Sequence, residues 1–212
     1  GNGESDIGDI DELSFSVLAD DVKKLCDYLK LRKIIIGGIS MGAGVSTSFA
    51  IRYPEYVKKL ILIRIAWLDR RMDDNLLKSF KYIVELIKNF DINEAKKIFM
   101  SGEDYKEKNE KYPYNAKSDK TCFEYKYAKQ TVDKYIVMPM DYPIDNIKDL
   151  SKINIPTLIL ANQFDPVHPF SYGEIYHENI KTSILKEIPS KNIDYTNHYV
   201  MINKFINDFI KL

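Results

Sequence analysis

The chain has 212 residues, 45% of them hydrophobic, and its 31 basic side chains balance 31 acidic ones. This length can bury a sizeable core, and a formal charge of zero removes the general case for nucleic-acid binding. No stretch is apolar for long enough to span a membrane. Two cysteines, Cys26 and Cys122, give no disulfide framework and indicate a reducing cytoplasm.

The first predicted helix covers residues 16–29. Its apolar side chains recur at helical spacing, at Leu18, Val22, Leu25, Cys26 and Leu29. Such a stripe indicates a helix that packs one face on a core.

The next segment, from Lys33 to Gly44, has the sequence KIIIGGISMGAG. Its apolar run at 34–36 predicts a strand buried on both faces of a parallel sheet, and a G-x-S-x-G turn follows. In such a turn the serine, here Ser40, lies between strand and helix in a strained backbone conformation and has the position of a nucleophile. A serine that only caps the following helix is the alternative, but it does not explain a glycine two residues to either side.

A strand–helix–strand crossover is predicted around this turn, with a helix over 45–52 and a second apolar strand over 58–65. Residues 67–155 are then too many for a simple connection in a compact sheet, so they predict a helical cap. Asp73 and Asp91 have the positions of N-caps for two cap helices, and a third helix is expected from Lys120 to Ile136.

The last third of the chain returns to the sheet pattern. A buried strand is predicted over 156–162, and Asp165 follows at its carboxyl end, where open α/β sheets place functional loops. Another strand is expected over 183–188. His198 then stands just before the terminal helix pattern of 201–212. Asp165 is therefore the candidate acid and His198 the candidate base for Ser40, although a turn-forming aspartate and a packing histidine would explain each one singly.

Two other histidines compete with His198. His168 lies three residues after Asp165, which is too close in sequence for the expected base, so we interpret it as a loop residue that shapes the site. His177 falls in a helix predicted over 170–179 and is expected to be a solvated surface residue.

Ser40, Asp165 and His198 match the motif positions of the α/β-hydrolase fold family, which this chain resembles. The segment GNGESD at 1–6 is similar to the R-G-x-G-x-S-D loop of the family, and DPVHP at 165–169 is similar to its D-x-x-x-P element. The resemblance implies a mostly parallel sheet flanked by helices, with a helical cap inserted before the strand that bears the acid. We therefore expect core residues 1–66, a cap over 67–155 and core residues 156–212.

The resemblance also implies a mechanism, which is acyl transfer to Ser40 with His198 as base and Asp165 orienting it. The backbone N–H of Met41 would be one oxyanion-hole donor. Trp67, at a strand end, and His168 would contribute to substrate binding, and an insertion such as 67–155 forms a lid in the family. No cofactor and no metal are expected.

The family pattern also contains parts that this chain lacks, namely four strands, a helix and an H-G type turn before the loop at 1–6. We expect a further N-terminal segment, or another chain, to complete the sheet beside the elbow strand, which would otherwise be an open apolar edge. The absent turn would supply the second oxyanion donor. Because losing such a donor costs roughly a hundredfold to a thousandfold in rate, the chain alone should be a poor enzyme.

The function expected from these residues is hydrolysis of a small carboxylic ester or thioester by a serine hydrolase. An acyltransferase or a hydrolase of carbon–carbon bonds would use the same triad. A ligand-binding protein on this fold, in which the triad is residual, and an inactive remnant are the non-catalytic alternatives.

Overall fold

The computed structural model describes residues 3–211. Residues 1 and 2 of the GNGESD segment, and residue 212 at the end of the last predicted helix, lie outside the described residues. The chain divides into two compact units. One contains Ser14–Arg71 with 141–211 and holds the sheet, and the other contains Met72–Met140 with 3–13 and is helical.

Within residues 3–211, four strands form one sheet, and they are β1 (Ile34–Ile39), β2 (Val57–Ile63), β3 (Thr157–Ala161) and β4 (Ser183–Glu187). The described part of the chain also contains ten helices, and they are α1 (Phe15–Tyr28), α2 (Met41–Arg52), α3 (Asp74–Asn89), α4 (Ile92–Ser101), α5 (Glu103–Lys111), α6 (Pro113–Thr121), α7 (Ala128–Thr131), α8 (Lys134–Met140), α9 (Phe170–Asn179) and α10 (Tyr195–Lys211). Short 3₁₀ turns lie at Ile10–Glu12, Pro54–Tyr56 and Ile147–Lys152.

The sheet is parallel throughout and has the order β1-β2-β3-β4. Ile39 at the end of β1 pairs with Ile63 of β2, and Leu62 pairs with Ile159 of β3. The carboxyl ends of the strands therefore lie at one edge of the unit, which confirms the predicted crossovers and the α/β class.

Both faces of the central strands β2 and β3 are buried. Successive side chains of a strand point to opposite faces, so each of these strands contributes to two apolar clusters. Leu60, Leu62 and Ile159 belong to one apolar cluster with residues of α1, α2 and α9. Ile61 and Leu160 belong to a second cluster with α10. This is the continuous burial that the apolar runs of β2 and β3 predict.

Strand β1 lies at the edge of the sheet, and the prediction that the run at 34–36 is buried on both faces is wrong, because Ile34 and Ile36 are half-buried and Ile35 is exposed. Within residues 3–211 its outer side has no paired strand. Ile35 and Ile39 are 43% and 46% exposed. The open apolar edge expected beside the elbow strand is therefore present in the described chain.

The helical unit has its own apolar cluster, which includes residues of α3 and α4. Asp73 accepts hydrogen bonds from the backbone of α3, and Asp91 accepts one from the backbone of α4, so both predicted N-caps are confirmed. The predicted third helix over 120–136 is wrong. Cys122, Phe123 and Ala128 are all buried in this cluster. At their spacing, the three side chains would spread around a continuous helix instead of forming one stripe. The chain therefore turns after Thr121, and the next helix begins at Ala128.

Within the part of the chain that the structure describes, no helix combines the length and apolarity needed to cross a bilayer.

Candidate active site

Ser40 occupies a sharp turn between β1 and α2. Its backbone φ is 56° and its ψ is −116°, in a region that side chains other than glycine rarely adopt. The backbone N–H of Ser40 donates to the carbonyl oxygen of Ile63 at 3.0 Å, which fixes the turn against the end of β2. The strained conformation predicted for this serine is confirmed.

Gly38 allows strand and helix to cross closely at this turn. A Cβ at position 38 would lie 2.2 Å from the carbonyl carbon of Gly42, a distance that only a backbone shift could relieve. A Cβ at Gly42 would meet nothing within 4 Å. The close crossing of strand and helix therefore requires glycine at position 38, whereas position 42 has room for a side chain.

The side chain of Ser40 faces a histidine and does not cap its helix. Ser40 precedes α2 but makes no side-chain hydrogen bond to the helix backbone. Its Oγ lies 2.9 Å from Nε2 of His168. The capping alternative is thus excluded, and a hydroxyl in hydrogen-bond contact with an imidazole is what nucleophile activation needs.

Asp165 brings His168 to this position although the two are only three residues apart. Oδ1 of Asp165 accepts the backbone N–H of Val167 at 3.2 Å, which folds the loop after β3 into a tight turn. The turn returns the buried His168 ring to its own acid, so that Nδ1 of His168 lies 3.0 Å from Oδ2 of Asp165. The separation of three residues predicted that His168 could not be the partner of Asp165, but this turn brings the two side chains into contact.

Arg64 is a site residue that the sequence reasoning missed. It follows β2 with a backbone φ of 51°, and its side chain is 9% exposed. Both Nε and Nη2 of Arg64 donate to Oδ2 of Asp165, at 3.1 Å and 2.7 Å. Nη2 also lies 3.0 Å from Nδ1 of His168. The available signal was an arginine within the apolar run LILIRIAW, since a buried charge requires a partner.

The surroundings of His168 favour its neutral form. Burial lowers its pKa to about 4, and the positive charge of Arg64 also lowers it, while the hydrogen bond to Asp165 opposes both effects. The charge of Lys191, after β4, acts in the same direction as Arg64. His168 is therefore uncharged at neutral pH, as a proton acceptor must be.

His198, the predicted base, lies in the first turn of α10 and is fully buried. Its Nδ1 is 2.6 Å from the carbonyl oxygen of Pro189. Its Nε2 is buried and has no hydrogen-bond partner within residues 3–211. The structure thus brings Ser40 and Asp165 together with His168 and does not join them to His198 by hydrogen bonds.

The other predicted site residues lie close to the same strand ends. Met41 is the first residue of α2, where a backbone N–H has no intrahelical acceptor. Trp67 is buried, and its ring packs edge-on against Phe15 with centroids 5.1 Å apart. Nε1 of Trp67 is without a hydrogen-bond partner in the described chain. The predicted surface residue His177 is exposed on α9 and contacts Ser183, as expected.

Comparison with known proteins places this chain in a family. The model of the α/β-hydrolase fold matches residues 1–190, so the chain belongs to that family. RutD of Rhizobium rhizogenes, which is proposed to be a carbamate hydrolase, is 27% identical over 169 residues, covering 77% of this chain and 62% of that protein.

Solved structures show the same fold. An esterase from Exiguobacterium antarcticum superposes with a TM-score of 0.72 and 20% identity, covering 99% of this chain and 78% of the esterase. The enol-lactonase of Burkholderia xenovorans superposes with a TM-score of 0.67 and 16% identity, covering 94% of this chain and 74% of the lactonase. The chain spans less than two thirds of the length of the curated relatives that it matches.

Proposed function

We propose that this chain carries the catalytic centre of a serine hydrolase that cleaves a small carboxylic ester or thioester through an acyl-enzyme on Ser40. The observation that carries the proposal is the 2.9 Å contact between Oγ of Ser40 and Nε2 of His168, at a strained turn between strand and helix. Asp165 stands behind the imidazole at 3.0 Å from Nδ1. Nucleophile, base and orienting acid are thus contiguous.

In the proposed reaction, Oγ of Ser40 attacks the carbonyl carbon while Nε2 of His168 accepts the hydroxyl proton. The carbonyl π electrons move onto the oxygen, and the bond to the leaving group breaks as His168 returns the proton to it. Water then attacks the acyl-enzyme by the same proton path, releasing the acid and restoring Ser40. Asp165 stabilises the imidazolium that forms in each half of the reaction.

The developing oxyanion requires N–H donors, and the backbone N–H of Met41 is proposed as one of them. Its position at the start of α2 adds the positive end of the helix dipole. A second donor is proposed to come from a segment that pairs with the open edge of β1, either from the same protein or from another chain.

The open edge makes that pairing testable. With Ile35 and Ile39 exposed on β1, the 212-residue chain on its own should self-associate through this edge. Replacing both isoleucines by lysine should leave it monomeric in sedimentation, whereas Ile193→Lys, which alters an exposed loop isoleucine, should not. Monomeric behaviour of the parent chain would remove the case for a partner strand.

The base in this proposal is His168, because it contacts both Ser40 and Asp165, and His198 remains the rival that the order of residues along the chain predicts. The described geometry can activate Ser40 without His198. Nε2 of His198 is buried and has no hydrogen-bond partner among the described residues, so His198 is kept as the alternative base. Replacing each histidine in turn by asparagine and measuring the reactivity of Ser40 separates the two assignments.

The test of the function is reaction with a fluorophosphonate probe, followed by location of the adduct by peptide mass. Adduct confined to Ser40, absent from Ser40→Ala and retained in Ser48→Ala on the same helix, would support an activated nucleophile. A panel of esters, thioesters, lactones and carbamates would then define the substrate class, the last two being suggested by the names of the relatives. No adduct in a folded sample, with and without a partner strand, would overturn the proposal.

A further inference from the structure

Arg64 presents an N–H donor to Nδ1 of His168, although in a serine hydrolase this nitrogen of the base donates its own N–H to an acceptor. Nη2 of Arg64 is 3.0 Å from Nδ1 of His168 in hydrogen-bond contact. A guanidinium has only N–H donors, so this hydrogen bond runs from Arg64 to His168. In the state in which Arg64 donates this hydrogen bond, Nδ1 carries no proton.

The tautomer of His168 follows from that contact. A neutral imidazole has one N–H, so an unprotonated Nδ1 puts the hydrogen on Nε2. Nε2 of His168 would then donate to Oγ of Ser40 across their 2.9 Å contact. In this state His168 cannot accept the proton of Ser40, which is the reverse of what acylation requires.

A second partner for Nδ1 is already in place. Oδ2 of Asp165 also lies 3.0 Å from Nδ1, and it can only accept a hydrogen bond when ionised. Asp165 therefore favours the tautomer with the hydrogen on Nδ1, in which Nε2 is free to accept from Ser40. Arg64 competes for both groups, because its Nε and Nη2 hold the same carboxylate oxygen.

Resting on the function proposed above, we propose that Arg64 is a positioning residue that holds His168 in the Nε2–H tautomer at rest, so that Ser40 becomes nucleophilic only when Asp165 takes Nδ1. Withdrawal of the guanidinium from Nδ1 is sufficient for the exchange, since the carboxylate is already within hydrogen-bond distance. Arg64 thereby limits the basal reactivity of Ser40.

The tautomer is measured directly, without a substitution, by long-range ¹H–¹⁵N NMR of the histidine rings at neutral pH. The chain contains three histidines, so His177→Asn and His198→Asn assign the remaining ring. We expect Nδ1 of His168 to show the shift of an unprotonated nitrogen and Nε2 that of an N–H. A protonated Nδ1 in the parent protein would overturn the inference.

The consequence for reactivity is tested with Arg64→Met, which keeps an unbranched side chain and removes its donors. His168 should change to the Nδ1–H tautomer, and fluorophosphonate labelling of Ser40 should accelerate by about tenfold or more, within the roughly hundredfold to ten-thousandfold span of general-base catalysis. Arg70→Met, at an exposed arginine six residues along the chain, is the matched control and should change neither readout. Slower labelling of a folded Arg64→Met protein, with the tautomer unchanged, would show that Arg64 has only a structural role.

This experiment separates two failures. If Ser40 of neither protein reacts with the probe, the proposed hydrolase function fails, while the NMR result still reports the tautomer. If Ser40 reacts and Nδ1 of His168 is protonated in the parent, the hydrolase proposal stands and the role of Arg64 is wrong.

Discussion

Oγ of Ser40 lies 2.9 Å from Nε2 of His168, although 128 residues separate them in the chain. The two meet because Ser40 directly follows β1 and His168 lies in the loop after β3 of a parallel sheet, so that both segments leave the same edge. An imidazole held at this distance from a strained serine is the arrangement from which the predictions on chemistry follow.

The first prediction concerns the base. His168→Asn should slow fluorophosphonate labelling of Ser40 by at least about a thousandfold, because the side chain in contact with Oγ can no longer accept its proton. His198→Asn should slow it by less than about tenfold, since His198 bonds to Pro189 and not to Ser40 or Asp165. The measurement is the second-order labelling rate at neutral pH.

His177→Asn is the matched control, because His177 is exposed on α9, and it should leave the rate unchanged. A larger loss in His198→Asn than in His168→Asn would assign the base to His198, as the order of residues along the chain suggests.

The second prediction is the pH dependence of the same reaction. Only neutral His168 can accept a proton, and burial lowers its pKa from 6.5 to about 4. The labelling rate should therefore persist through pH 6.5 and fall only as the pH drops through about 4. The charges that face His168 are those of Arg64, Asp165 and Lys191, and their balance leaves the shift downward.

Stability should follow the same group. The unfolded chain protonates this histidine near pH 6.5 and the folded chain only near pH 4, so its contribution is retained above 6.5 and is lost as the pH falls between these values. The loss is on the order of 3 kcal/mol, and it should be absent from His168→Asn in urea unfolding at both ends of the range. A labelling rate that falls near pH 6.5 would contradict both expectations.

How far the sequence predicts this site depends on the range of each interaction. The elbow is local, because an apolar strand, two glycines and a serine within twelve residues leave few other conformations, and Ser40 lies where they indicate. Helix α9 has the predicted bounds for the same reason. Helices α3 and α4, with their aspartate N-caps, were likewise predictable from neighbouring residues.

The partners of Ser40 could not be predicted in the same way. The contact of Arg64 with Asp165 joins residues 101 positions apart, and nothing in the run LILIRIAW states where its guanidinium points. The approach of His168 to Asp165 depends on a side-chain hydrogen bond within one turn, and the three-residue spacing alone argued against this contact. Order along the chain therefore predicts a type of site, whereas the contact of Ser40 with His168 depends on how the loops after β1 and β3 fold against each other.

The third prediction uses the two glycines of the elbow as a matched pair. Gly38→Ala should destabilise the fold by more than about 2 kcal/mol and abolish labelling of Ser40, because its Cβ would lie 2.2 Å from the backbone of Gly42. Gly42→Ala meets nothing within 4 Å and lies in a helix, so it should stabilise the protein by about 0.5 to 1 kcal/mol and keep Ser40 reactive. Urea unfolding and the labelling rate measure both effects. Similar unfolding midpoints for the two variants would show that the close crossing of strand and helix does not require glycine at position 38.

The fourth prediction concerns the helix that carries His198. Lys59 is buried on β2, and its Nζ donates to the carbonyl oxygens of Phe209 at 2.8 Å and Ile210 at 3.3 Å, in the last turn of α10. A cation at this end complements the helix dipole and satisfies carbonyls that have no intrahelical donor. Lys59→Met should therefore cost about 1 to 3 kcal/mol of unfolding free energy.

The effect of Lys59→Met should be local to the end of α10. Hydrogen exchange should accelerate in the last turn of the helix, while the first turn, with His198, and the labelling of Ser40 should stay unchanged. Lys58→Met alters the exposed neighbour on the same strand and should leave both stability and exchange as they are. Equal stability of the two methionine variants would mean that water replaces Lys59 at the helix terminus without loss, and that α10 is held by its apolar face alone.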